Sequence, residues 1–271
     1  MIEIQFPDQS VRNYEKGVTP FQIAQDISEG LARSMLSASF NGITVEASTP
    51  ILENGVIHLF TWNDKKGKAA FWHSSAHILA QSILAIYPQA KLTIGPAIEN
   101  GFYYDVDFGD TSFSEKDLPA LEKQFLSFAR EKFEFKMRMS NKLDALKFYE
   151  NEKNSYKIEL IQNLEEGTIS FCDHADFTDL CRGGHIPNTG FIKAVKLLSV
   201  AGAYWRGDET KKQLTRIYGI SFPKQKDLTE HLTFLEEAKK RDHRKLGKEL
   251  ELFAFSQKVG QGLPLWLPKG A

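Results

Sequence analysis

Cysteine is nearly absent: Cys172 and Cys181 are the only two among 271 residues. Two thiols cannot build a disulfide framework, so the fold must rest on a hydrophobic core, and a reducing compartment, the cytoplasm, is the expectation. No apolar run approaches the roughly 20 residues that a membrane span requires, so no membrane partner is expected. The first six residues, Met1 to Phe6, lack the basic segment and apolar core of a signal peptide. An excess of either charge is missing too. Lysine and arginine number 34 against 35 acids, a net charge of -1, so any nucleic-acid contact must come from local patches rather than bulk attraction. What remains, 42% hydrophobic and 25% charged residues, is an ordinary globular composition, long enough for two domains.

Against that plain background stand two pairs of soft ligands, His73-Ser-Ser-Ala-His77 and Cys181-Arg-Gly-Gly-His185. The first lies in a stretch with no Gly or Pro and with apolar residues at helical spacing. Positions i and i+4 of a helix share a face, so both imidazoles point into one space. Gly183 and Gly184 place the second pair on a loop or tight turn. Three imidazoles and a thiol either close a tetrahedral metal site or surround a reacting bond. The missing Glu after His73 argues against a zinc protease helix, which needs His-Glu-x-x-His.

Periodicity divides the chain. In residues 1–62, Ile2, Ile4 and Phe6 alternate with polar residues, and Pro7-Asp8-Gln9 turns the chain into a second strand. Thr19-Pro20 opens a helix with a hydroxyl cap and an N1 proline, and Gly30 is expected to stop it. Strands near Ser39–Phe40, Thr44–Val45 and Val56–Phe60 complete a β-grasp order. The polar run at 63–68 reads as a linker. A helix bearing the two histidines then runs to about Tyr87, stopped by Pro88. Strands at Phe102–Phe108, Phe133–Ser140, Ile169–Cys172, Phe191–Val200 and Gln213–Phe222, with helices from Asp117 and at Leu143–Glu150, give a larger α+β unit with a mainly antiparallel sheet. Trp205 and Tyr204 read as core, and Cys172 as a buried small hydrophobe. From Lys226 one long polar helix is expected. Its basic end, Lys239, Lys240, Arg241, Arg244 and Lys245, reads either as a solvated face or as a contact to RNA backbone. The apolar, proline-bearing stretch Gly262–Ala271 leads to the expectation that its core lies in sequence beyond Ala271.

His73-Ser-Ser-Ala-His77, Gly101-Phe-Tyr-Tyr-Asp105, Cys181-Arg-Gly-Gly-His185, Ala201-Gly-Ala-Tyr-Trp-Arg-Gly-Asp208 and Lys240-Arg-Asp-His-Arg-Lys-Leu-Gly-Lys248 occur in this order. Together they resemble the N-terminal half of bacterial threonyl-tRNA synthetases. The resemblance implies a TGS domain at 1–62, an editing domain at 63–225, a linker helix at 226–250 and the start of a truncated class II catalytic domain at 251–271. It implies hydrolysis of mischarged Ser-tRNA(Thr), with His73, His77, Asp179, Cys181, His185 and Lys157 as the catalytic set. Gly95 and Tyr104 would line the substrate pocket, and the basic run would meet the tRNA backbone. The partner would be the tRNA(Thr) acceptor end. Editing would need no cofactor; zinc at His73, His77, Cys181 and His185 is chemically feasible but runs against the resemblance. ATP and zinc belong to the missing catalytic domain, whose full-length protein would be a homodimer and this piece a monomer. The physical motive is that a pocket rejects a missing methyl by only about 1–3 kcal/mol, so serine is loaded in place of threonine and must be removed afterwards. A non-catalytic acceptor-stem module and a free-standing trans-editing hydrolase are the other two readings.

Overall fold

The protein is described from a computed structural model covering residues 1–255, 260 and 262–271. It separates into two compact units, Met1–Lys224 and Gln225–Ala271. The alternating apolar residues at the N-terminus lie on the inner face of β1 (Ile2–Gln5), which forms an antiparallel hairpin with β2 (Val11–Tyr14). Thr19 caps α1 (Pro20–Ile27) with a full capping box through Gln22. The helix does not continue to Gly30. Ser28 turns extended and accepts the Leu31 N–H, opening a second helix, α2 (Glu29–Ser34), in which Gly30 is an interior residue. Strands β3 (Ser37–Phe40), β4 (Ile43–Val45) and β5 (Gly55–Phe60) complete a five-stranded sheet in the order β2-β1-β5-β3-β4, with β1 and β5 parallel. Ile2, Ile4, Phe6, Ile23, Ile51 and Ile57 fill the space between sheet and helix, a β-grasp core.

The run expected to be a linker is instead the start of α3 (Lys65–Ile86). The Asp64 carboxylate accepts from the Thr61 N–H and hydroxyl, fixing the corner. A Cβ on Gly67 would lie 2.0 Å from the Thr61 carbonyl, so only glycine lets the helix start this close to β5. Beyond α3 come β6 (Lys91–Leu92), β7 (Ala97–Ile98), β8 (Gly101–Asp107), α4 (Leu118–Arg130) and β9 (Lys136–Met139). Then follow α5 (Lys142–Asn151), α6 (Ser155–Gln162), β10 (Ser170–His174), β11 (Phe177–Leu180), β12 (Ala194–Tyr204) and β13 (Gln213–Phe222). Two wholly antiparallel sheets result, β12-β13-β8-β6 with β7 beside β8, and β11-β10-β9. The fold is α+β, a β-grasp followed by a larger α+β region.

Three further expectations change. The strand at Phe133–Ser140 shortens to β9, where Phe135 is buried but Met139 is 65% exposed, because Glu134 bridges Asn188 outside the sheet. Helix α6 has no clear sequence signal, and Asn154 caps it by accepting the Lys157 N–H. Trp205 is core as expected, but Tyr204 is 41% exposed at the end of β12. In the second unit the single polar helix is two, α7 (Gln225–Lys240) and α8 (His243–Glu249). Asp242 divides them, leaving helical geometry and accepting the Arg244 N–H as an N-cap. A hairpin of β14 (Phe253–Phe255) and β15 (Pro264–Trp266) follows.

Candidate functional site

Helix α3 is buried on nearly every side, and from Ala70 to Ile83 only His73 is not buried. The serines between the histidines are structural. Ser74 Oγ donates to the Ala70 carbonyl at 2.8 Å and accepts the Ile186 N–H at 3.0 Å, tying the helix to the chain just past His185. Ser75 Oγ meets Ser221 Oγ at 2.7 Å and anchors the helix to β13. His73 and His77 therefore project from a clamped segment.

Cys181 leaves the end of β11, its N–H donating to the Ser170 carbonyl at 3.0 Å. Gly183 and Gly184 both take φ near +90°, a backbone that side chains resist, and the turn folds back on the thiol. Cys181 Sγ then sits 3.0 Å from His73 Nε2, 3.3 Å from His77 Nε2 and 3.3 Å from His185 Nε2, and accepts the Gly183 N–H at 3.3 Å. Burial by itself would raise this thiol, but His77, His185 and His73 outweigh it and hold Cys181 well below its ordinary value. Burial likewise pulls His185 downward, while hydrogen bonds to Cys172, Cys181 and Glu46 prevail and raise it well above the usual imidazole range. The two shifts run in the directions that favour an imidazolium beside a thiolate. His77, fully desolvated, is lowered and stays neutral. Burial also pushes the Cys172 thiol up to about 11, leaving it protonated and 0% exposed.

A second cluster faces the first. Asp179 accepts from Tyr104 Oη at 2.9 Å, Tyr149 Oη at 3.2 Å and the Leu180 N–H at 2.8 Å, and pairs with Lys157 Nζ at 2.5 Å. Burial raises both phenols well above their ordinary range, so they remain donors. His77 Nδ1 stands 3.6 Å from Asp179 Oδ2, beyond hydrogen-bond reach but close enough to feel its charge. The imidazole of His77 thus joins the thiol cluster to the carboxylate cluster.

Both clusters border one cavity of about 770 Å³, lined by His73, His77, Cys181, Asp179 and Lys157 among others. Such a volume suits an organic ligand of several hundred daltons. Gly95 and Tyr104 line it as well. A Cβ on Gly95 would fall 2.2 Å from Tyr104 Cδ2, so the glycine lets the backbone lie flat on the ring. His185 is 0% exposed and does not line the cavity; it supports Cys181. The cavity wall also includes Ser37, Thr44 and Phe60 of the β-grasp.

Four donors, one each from His73, His77, Cys181 and His185, lie within 4.8 Å of one another. His185 Nδ1 meets Glu46 Oε1 at 3.1 Å, the carboxylate backing that metal-bound histidines use. The set fits a tetrahedral ion such as zinc. All four positions would be taken by protein, leaving none for the water that a catalytic zinc carries.

Lys239, Lys240, Arg241, Arg244 and Lys245 are exposed and belong to the second unit, apart from this cavity in the chain. They are spread over the end of α7, the turn at Arg241 and the start of α8. Lys240 pairs with Glu237, Arg244 with Asp242 and Lys245 with Glu249. The sequence does not single out Glu46, Tyr149, Ser74 or His174 as members of the site. Glu46, Tyr149 and Ser74 are common residue types whose partners are distant in the chain, His174 sits among aromatic rings, and no local spacing marks any of them. Among the described residues, no helix is long and apolar enough to cross a membrane.

Residues 2–61 match the TGS domain model, and residues 169–218 match the threonyl and alanyl tRNA synthetase second additional domain. The whole chain is 67% identical to a threonine–tRNA ligase of Flavobacterium psychrophilum and to one of Flavobacterium johnsoniae, and 60% identical to that of Cytophaga hutchinsonii. In each case the match covers 100% of this chain and 42% of the relative, so the chain spans less than half the length of the curated relatives it matches.

Proposed function

We propose that this chain is the N-terminal part of a threonine–tRNA ligase and hydrolyses the seryl ester of mischarged tRNA(Thr). The observation that carries the reading is one shared cavity, bordered by His73 and Cys181 on one side and the Asp179–Lys157 pair on the other. An aminoacyl ester is already reactive, so its hydrolysis requires water placement and proton handling more than carbonyl polarisation. His73, the accessible imidazole of the cluster, positions the attacking water and the vicinal hydroxyl of the terminal ribose. Water attacks the ester carbonyl, the ribose oxygen departs with a proton, and serine and tRNA are released. His77 holds the water's neighbourhood neutral, while Asp179 and Lys157 seat the seryl group. Cys181 with His185 shapes the wall and takes part in proton relay. Gly95 and Tyr104 accommodate the terminal nucleoside. A zinc ion on His73, His77, Cys181 and His185 would supply cross-linking of helix and turn, and the hydrolysis proposed does not use it.

In this reading residues 1–62 are the TGS domain, 63–225 the editing domain, 226–250 a helical linker and 251–271 the start of the synthetic domain. Lys239, Lys240, Arg241, Arg244 and Lys245 contact tRNA phosphates, an exposed basic set suited to sequence-independent attraction. Threonine activation, with its ATP and zinc, belongs to the remainder of the ligase, a cytoplasmic homodimer, and this piece alone is monomeric. The test is deacylation by the purified chain. Ser-tRNA(Thr) should be hydrolysed, Thr-tRNA(Thr) spared, and His73→Ala should slow the reaction at least 100-fold, within the range for a removed acid–base group of about 10²–10⁴. An inert wild-type chain, or an unaffected His73→Ala variant, refutes the reading.

A further inference from the structure

The Cys181–His185 turn has an attachment outside the editing fold. Glu46 lies just after β4 in the β-grasp, and its own backbone is pinned by a turn in which its N–H donates to Thr49 Oγ1 at 3.1 Å and its carbonyl accepts the Thr49 N–H at 3.0 Å. Its carboxylate reaches across to residues 138 and 139 positions later in the chain. Oε1 accepts the Gly184 N–H at 2.8 Å and faces His185 Nδ1 at 3.1 Å, while Oε2 accepts the His185 N–H at 3.1 Å. The side chain is 12% exposed, so water competes little for these bonds. Thr44 of β4 lies against the same turn, 3.5 Å from where a Gly184 Cβ would be.

Two consecutive glycines at φ near +90° make a turn with little intrinsic preference for one shape. Some outside group must select the shape that brings His185 Nε2 to Cys181. Within the editing fold, Ser74 holds Ile186 just beyond the turn. Cys172 Sγ approaches His185 Nδ1 only at 3.8 Å, farther than Glu46 Oε1 at 3.1 Å, and sulfur is a weak acceptor. Among the described residues outside the turn, only Glu46 is bonded both to the turn's amides and to the far nitrogen of the imidazole. We propose that Glu46 of the β-grasp domain is a positioning residue for the hydrolytic site, holding the Cys181–His185 turn closed and directing His185 Nε2 at Cys181 Sγ by accepting a hydrogen bond from Nδ1. The β-grasp is then a working part of the editing centre as well as a cavity wall. This rests on the deacylase reading above.

Glutamine cannot reproduce the arrangement, because its amide nitrogen would confront either the His185 N–H or the Nδ1–H. Glu46→Gln in the full chain should lower kcat for Ser-tRNA(Thr) hydrolysis by about 10–100-fold, the range found for losing the carboxylate behind a ligating histidine. KM should change less than about threefold, since Glu46 does not line the cavity. The melting temperature should fall little, and Glu46→Ala should be at least as slow. Independently of any activity, ¹⁵N spectra of histidine-labelled protein should show His185 protonated at Nδ1 in the wild type and altered at that nitrogen in Glu46→Gln. A variant with wild-type kcat, or an unchanged His185 signature, overturns the proposal. Wild-type protein that is inert yet shows the Nδ1 signature and its loss refutes the deacylase reading while leaving the positioning of His185 in place.

Discussion

Replacing Asp179 by asparagine removes one charge from a pair shielded from water on both sides. The Lys157 and Asp179 side chains are 3% and 5% exposed. The new amide would still accept from Tyr104 or Tyr149, but the Lys157 ammonium would be left in the interior with no countercharge. Stranding one member of a buried ion pair costs about 3–5 kcal/mol. Lys157→Met is gentler, because the carboxylate keeps both phenols and the Leu180 N–H; losing one charge-assisted bond costs about 1.5–3 kcal/mol. The double variant leaves no unpaired charge and should cost about 1–3 kcal/mol less than the two single losses together, a coupling typical of contacting residues. In a unit of this size each kcal/mol moves the midpoint by about 2–4 °C, so Asp179→Asn should melt roughly 6–20 °C below wild type. Thermal unfolding of the three variants and wild type at pH 7 measures this. Equal losses for the two single variants, adding without coupling, would show that the pair is not what holds α6 against β11.

Gly95→Ala should push the buried Tyr104 ring off Asp179, costing about 1–3 kcal/mol of stability and at least tenfold in deacylation; wild-type kinetics would show that the ring has room to yield. His174 is 2% exposed among Phe135 and Phe177, neither ring nitrogen has a hydrogen-bond partner among the described residues, and burial pushes its pKa down to about 3. Between its ordinary 6.5 and about 3 the unfolded chain binds a proton that the native chain refuses, so stability falls on acidification by up to about 1.4 kcal/mol per pH unit. His174→Leu should flatten that dependence in denaturant titrations at pH 7, 5.5 and 4, and an unchanged slope would remove His174 as its source. Dialysis against a chelator should leave both deacylation and the melting temperature unchanged; one equivalent of zinc in the native protein, with loss of activity on its removal, would assign the four donors to a metal.

Several elements could be read directly from local chemistry. The alternation of Ile2, Ile4 and Phe6 determined β1, Thr19-Pro20 determined the start of α1, and Pro88 determined the end of α3, because each signal acts over a few residues through sterics or a single hydrogen bond. The i, i+4 spacing of His73 and His77 set both imidazoles on one helix face, and the two glycines marked a turn between Cys181 and His185, but bringing the two pairs together across 104 and 108 positions was left to the tertiary structure. Where the sequence misled, tertiary packing had overridden composition. The polar run at 63–68 became helix because Gly67 could abut the Thr61 carbonyl, and Gly30 was absorbed into α2 because Ser28 capped it. The placement of Lys157 beside Asp179, of Tyr149 against the same carboxylate, and of Glu46 on the Cys181–His185 turn belongs to the tertiary structure alone. Their partners lie between 22 and 139 positions away, and a hydrogen bond across such a span leaves no periodicity in the chain, only a common residue whose partner the fold selects.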